Sequence, residues 1–211
     1  MTRRRVRRLP SAEGLQLEAV LLGGGLRALL LQLAHPAVGR GVAEHCDFAG
    51  DPLTRLHATL VYVYVIAAGE PAAVRRVTGR VGRVHARVVS TPGAEPAYDA
   101  RDAELQFWVT ATLTDTALRI ADAVWGRLPG RLADEVVARS GRIGTALGMP
   151  AEQWPVGRTA FEAAFAVASG ELRLDDTTRG VIRSLFTAAG APRRVRAVLP
   201  FLVAATLPTL P

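Results

Sequence analysis

Lysine is absent from this chain of 211 residues; all 26 basic side chains are arginine. Without lysine there is no phosphate-binding P-loop, and Gly23-Gly24-Gly25 has no strand–loop–helix context to suggest one. Uniform arginine fits base-composition bias in a GC-rich coding sequence better than selection for one partner. Cysteine is nearly as scarce. Cys46 stands alone, which excludes a disulfide framework and any zinc or iron–sulfur site built on several thiolates. Aromatic residues make up 6% of the chain, so the core has to come mainly from Ala, Leu and Val. No apolar run reaches the roughly 18 residues that mark a membrane-spanning helix, and no Gly-x-Ser-x-Gly nucleophile elbow occurs.

What is present is 49% apolar, with a net charge of +7. That composition excludes a disordered chain, and the length suits one domain with a substantial core. Ala and Leu are strong helix formers, so an all-α fold is expected, as a single compact multi-helix domain. Arg3, Arg4, Arg5, Arg7 and Arg8 crowd the start of the chain. Such a cluster could touch nucleic acid or an anionic membrane. No recognition motif follows it, so residues 1–14 are expected to be a flexible, solvated arm and 15–211 a helical domain, with no nucleic-acid partner. The apolar run 19–33 imitates an export signal. Arg27 and three glycines interrupt it and no clean cleavage site follows, so a cytoplasmic location is expected.

Helix punctuation is dense. Residues 26–34 read as a buried helix stopped near His35-Pro36, because the residue before proline resists the α conformation. Pro36 suits the first turn of a helix over 37–48. Asp51-Pro52 opens a helix that Gly69 closes. Within it Val61-Tyr62-Val63-Tyr64-Val65 alternates as a strand would, but the caps and the length favour helix. Glu70-Pro71 opens another, reaching Val89, and Ser90–Pro96 is a loop. A long helix follows over 102–125, with Asp99 as a candidate cap. Shorter helices are expected over 131–147, 154–168 and 177–188. The apolar, proline-punctuated tail 200–211 would pack on the domain or on a second subunit, making a homo-oligomer.

Four histidines occur: His35, His45, His57 and His85. No two have the i, i+4 spacing around a carboxylate that a zinc protease helix needs. His35, at a helix junction, is expected to satisfy free backbone groups. His85 has Val81, Val84 and Val88 around it on one predicted helix, which sets the imidazole on or beside an apolar stripe. On pattern alone it reads first as a core histidine. The same setting suits a haem iron ligand, for which neutral imidazole is the common donor. Among the acids, Glu44, Asp47 and Asp51 form one cluster and Asp99, Asp102 and Glu104 another, explained mostly by solvation and capping.

Four segments in order carry a resemblance. They are GGGLRALLLQLAHPAVGRGVAEHCDF (23–48), DPLTRLHATLVYVYVIAAG (51–69), VGRVHARV (81–88) and YDARDAELQFWVTATLTDTALR (98–119). Together they resemble the DUF2236 family, which includes the fungal MpaB-type oxygenases and the bacterial latex clearing proteins (rubber oxygenases). The resemblance is strongest over 20–125. It implies an all-α fold around haem b, with one histidine on the iron and an Arg-x-x-x-Thr pair nearby. On this chain the histidine is His85, and the pair is Arg55 and Thr59, with Tyr62 one turn away. An arginine there would fork onto a haem propionate. Glu44 is the candidate catalytic base, since its helix is expected to approach the pocket.

The chain departs from the family at two points. Ala58 stands where latex clearing proteins place a lysine that reaches the iron, and Thr110 follows Trp108-Val109 where the family often has histidine. Polyisoprene is therefore not the expected substrate. The expected function is a haem-dependent oxygenase taking O2 and an apolar, alkene-containing small molecule. Two alternatives stand beside it: a peroxidase-like haem enzyme of specialised metabolism, and a haem-free helical binding protein.

Overall fold

The structure is a computed structural model and describes residues 10–16, 24–45 and 52–187. The basic cluster at positions 3–8, Cys46 and the apolar tail all lie outside those residues. The described part is all-α and carries no strand, only an isolated bridge between Val89 and Asp99. Its helices are α1 (Ala12–Gln16), α2 (Gly25–Ala34), α3 (Pro36–His45), α4 (Pro52–Ala68) and α5 (Pro71–His85). They continue with α6 (Ala103–Trp125), α7 (Gly130–Ser140), α8 (Arg142–Thr145), α9 (Gly157–Ser169) and α10 (Asp176–Thr187). A 3₁₀ turn, Ala151–Gln153, precedes α9. No described helix is long and apolar enough to cross a membrane.

The core forms around α6, which touches α2, α7, α8 and α9. Trp108, Ala111, Leu118 and Ala121 on α6 pack with Leu31, Val136, Val137, Phe161 and Phe165. Trp108 stacks on Phe165 with centroids 5.6 Å apart, and Phe107, Trp154 and Phe161 pack in the same cluster. A second apolar cluster joins Tyr62 and Ile66 of α4, Ile143 of α8 and the valines Val74, Val77 and Val81 of α5. The alternating stretch 61–65 is continuous helix, with Tyr62 turned inward and Val61 40% exposed. Ala12 and Leu15 are buried, and α1 packs against α7, so ordered packing begins inside the stretch expected to be an arm.

Three helix boundaries differ from the sequence reading, each for a local reason. The Asp102 carboxylate accepts from the backbone N–H of Glu104 at 2.7 Å and caps α6, whereas Asp99 is held by Arg101. Helix α5 stops at His85 and not at Val89, because the chain turns back to pair Ser90 N–H with the Tyr98 carbonyl. The expected helix 131–147 breaks at Gly141. There the Trp154 indole sits so close that a Cβ would come within 2.6 Å of its Cδ1, and its Nε1 donates to the Val137 carbonyl. Trp154 is thus a core plug ahead of α9, not its first residue.

Candidate functional site

Arg27 and Gln32 interrupt the apolar run of α2, and α6 meets them with buried hydroxyls. The Arg27 guanidinium, 2% exposed, pairs with Asp115 at 2.7 Å and donates to Thr116 Oγ1 at 2.9 Å. Gln32 Nε2 donates to Thr112 Oγ1. Burial lowers the affinity of Arg27 for its proton, and the adjacent Asp115 carboxylate opposes that effect. This seam fixes how α2 lies on α6. Glycine allows the closeness: a Cβ on Gly24 would collide with Thr116 and Ile120. At Gly24, then, the glycine run serves helix packing.

Beside the seam opens a small, largely apolar cleft with a cavity volume of about 100 Å³, below the roughly 300–1,000 Å³ of drug-sized ligand sites. Gly25 and Ala28 of α2 form one wall, Thr59 and Val63 of α4 another, and Leu113, Ala117 and Ile143 the floor. No charged side chain is among its described lining residues. Several hydroxyls on its wall are already engaged. Thr114 donates to the Thr110 carbonyl, Ser140 to that of Val136, and Thr116 accepts from Arg27. The interior is therefore suited to an uncharged, mainly apolar molecule, since a charge there would lose its hydration without a partner.

Of the site residues expected from sequence, Thr59 lines this cleft. Arg55 lies one turn earlier on α4, and its side chain is outside the described residues. Tyr62 faces elsewhere: its hydroxyl donates to the Ile143 carbonyl at 2.6 Å, and burial raises its pKa. It acts as a lock between α4 and α8.

His85 ends α5, which the short Gly69-Glu70 link folds back against α4. At about 1.5 Å per residue, His85 lies roughly 21 Å from that link and Arg55 roughly 20 Å, with Thr59 about one turn nearer. Along their helices all three lie well away from that link. His85 itself is not among the cleft's lining residues. Its Nδ1 is shielded from solvent, and the Asp99 carboxylate is within electrostatic reach. Arg101, forked onto Asp99, holds that carboxyl below the usual carboxylate range.

Glu44 is not brought to these residues. It sits exposed near the end of α3, takes hydrogen bonds from Arg40 and from the Tyr98 hydroxyl at 2.5 Å each, and does not line the cleft. The Tyr98 bond first, and Arg40 next, lower its pKa, while Tyr98 itself is pushed up to about 12 by burial and by Glu44. His35 accepts from the Val38 N–H through Nδ1 at 3.4 Å, the capping role expected of it. At the two departures from the family pattern, Ala58 is exposed and Thr110 is buried, spent on the Gln106 carbonyl. No group of three or more potential metal-ligating side chains gathers among the described residues.

The Arg27–Asp115 seam and the cleft beside it were not anticipated from sequence. The available signal was a charge and an amide at positions 27 and 32 in an otherwise apolar helix, answered by threonines at every second position from 110 to 116.

Comparison with known proteins bears on what this arrangement serves. Uncharacterized proteins of Mycobacterium bovis and Mycobacterium tuberculosis are each 32% identical over 183 residues, covering 84% of this chain and 72% of the relative. No solved structure matches. The family model described as "ER-bound oxygenase mpaB/B'/Rubber oxygenase, catalytic domain" matches residues 14–211. The chain therefore belongs to the MpaB/rubber oxygenase catalytic-domain family.

Proposed function

We propose that this protein is a haem b-dependent oxidoreductase of the oxygenase type, acting with O2 on an uncharged apolar small molecule. The observation that carries the reading is the uncharged cleft lined by Thr59, on the helix hairpin that ends in His85, in a chain of an oxygenase family. The donor set suits haem, which asks the protein for one imidazole and no multi-residue cluster. Local space suits it too. Thr78, Gly82 and His85 follow one face of α5 at i, i+4 and i+7. Thr78 Oγ1 is buried without a hydrogen-bond partner, and a Cβ added at Gly82 would meet nothing within 4 Å.

In this reading His85 would hold the haem iron. Arg55 would neutralise a propionate, and Thr59 would offer a hydroxyl at the wall of the cleft. When bound, haem supplies the dioxygen chemistry, by family analogy the oxidative cleavage of an alkene to carbonyls. The chain's own part is to orient and exclude. The Asp99 carboxylate, within electrostatic reach of His85, would make the imidazole a stronger donor. The apolar walls hold the substrate out of water, and Tyr62 fixes α4 against α8 so that the Thr59 wall keeps its place. Glu44 is a poor base in this account, since Tyr98 and Arg40 already occupy its oxygens. The setting proposed is the cytoplasm.

An oxygen electrode separates the readings. Haem-loaded protein given an apolar alkene panel is expected to consume O2 and release carbonyl products, with Leu60→Trp and Val63→Trp blocking turnover. Turnover with peroxide in the absence of O2 would identify a peroxidase-like enzyme instead. Neither activity, with retained binding of apolar ligands, would leave a helical binding protein.

A further inference from the structure

The arginines of α5 and the turn after it have no assigned work in the mechanism above. Between Glu70 and Glu95 the chain contains no acid, yet it contains Arg75, Arg76, Arg80, Arg83 and Arg87. All five are exposed, and none makes an ion pair or side-chain hydrogen bond among the described residues. Several described arginines elsewhere do meet acids, as Arg40 meets Glu44 and Arg158 meets Asp122. At 100° per residue, Arg76, Arg80 and Arg83 fall within a narrow stripe, with Arg75 off to one side of it. The opposite face, Val74, Val77 and Val81, is packed onto α4 and α8. The helix is thus held in the fold by one side and presents an uncompensated cationic ridge on the other.

We propose that this ridge docks the protein on an anionic phospholipid surface. Charge complementarity sets the class of partner, and the residues around the ridge choose among its members. Residues 66–97 contain no Phe, Tyr or Trp on which a base could stack, and no Asn or Gln to read a base edge. They do present Val84 at 55% exposure and Val89 at 38%, beside Arg83 and Arg87. Exposed aliphatic groups interleaved with arginine suit the headgroup boundary of a bilayer, where the guanidinium reaches phosphate and the stem lies along apolar surface. The valine face already packed in the protein keeps α5 from inserting, so the contact is peripheral and electrostatic. Such contact decays within a Debye length, about 8 Å at physiological salt. Docking of this kind is independent of haem, although an apolar ligand concentrated in bilayers would be well placed for the cleft.

Vesicle flotation with the full chain tests it, using phosphatidylcholine alone and phosphatidylcholine mixed with phosphatidylserine. The protein is expected to float with the anionic vesicles, not with the neutral ones, and to be released by salt. Each arginine near the surface changes partitioning about fivefold, so Arg76→Gln/Arg80→Gln/Arg83→Gln should weaken it about a hundredfold. The corresponding Arg→Lys variant should retain binding, since charge and not fork geometry is at work. Unchanged circular dichroism and thermal midpoint in both variants keep the comparison clean, because all three positions are exposed. A further variant replaces Arg3, Arg4, Arg5, Arg7 and Arg8 with Gln. Three results would overturn the proposal: equal binding to neutral vesicles, loss only when the N-terminal arginines are replaced, or tighter binding to duplex DNA than to anionic vesicles at the same salt.

Discussion

Helices α5 and α6 are amphipathic in opposite senses. Helix α6 spans 23 residues and buries ten of them, polar and apolar alike; α5 spans 15 residues and buries none. Across the α2–α6 seam Asp115 answers Arg27 and Thr112 answers Gln32. In α5 the arginines have none, and two glycines, Gly79 and Gly82, sit inside the helix where no neighbour requires them. The first helix is specified by its partners and the second by what it leaves available. Stability is concentrated in α6, while α5 keeps a histidine, open room beside it and a cationic ridge.

Substitutions should break this contrast in a graded way. Asp115→Ala leaves Arg27 buried without its carboxylate and should cost about 3–5 kcal/mol in urea unfolding. A change near zero would mean that water reaches the seam. Gly24→Ala drives a methyl into Thr116 and Ile120, an overpacking expected to cost about 1–3 kcal/mol. Asp102→Ala removes the cap of α6 and should cost about 1 kcal/mol, with Asp99→Ala leaving that helix unchanged. Opposite in sign, Gly79→Ala should stabilise the protein by about 0.5–1 kcal/mol, because the only close atom is the mobile end of Arg83. If Gly79→Ala destabilised as Gly24→Ala does, α5 would be a packed helix and the contrast would fail.

The smallest effect concerns acid. Burial works to raise the Asp122 pKa, but hydrogen bonds from Arg158 and from the Leu128 N–H outweigh it, leaving the carboxyl below its ordinary 3.8. A folded-state pKa below the unfolded one gives stability that is present above about pH 4 and lost as the pH falls through the folded value. Denaturant midpoints between pH 5 and pH 2 should therefore flatten in Arg158→Ala. Equal acid sensitivity in both proteins would remove this pair from the account.

Much of the fold was legible because the chain is heavily punctuated. Pro36, Pro52 and Pro71 each open a helix where proline at the first turn predicts one. The boundaries that moved were set by tertiary contacts: Trp154 against Gly141, and the return of residues 88–90 onto 98–100. A one-dimensional pattern carries neither. Thr59 and His85 were picked out by a motif split over two helices; Thr59 lines the cleft and His85 does not. Tyr62 and Glu44 show the opposite case. Spacing put Tyr62 near the site and the expected approach of its helix put Glu44 there, but a carbonyl on α8 and a tyrosine 54 positions away hold their polar atoms. The cleft was illegible because its walls come from helices far apart in the chain.

The central claim is that His85 holds a haem. The direct measurement is the absorption spectrum of the purified protein, oxidised and reduced, beside His85→Ala. A strong Soret band is expected in the wild type, lost or shifted in the variant. A wild-type protein that stays colourless and cannot be reconstituted with haem, or a variant with the unaltered spectrum, would contradict it.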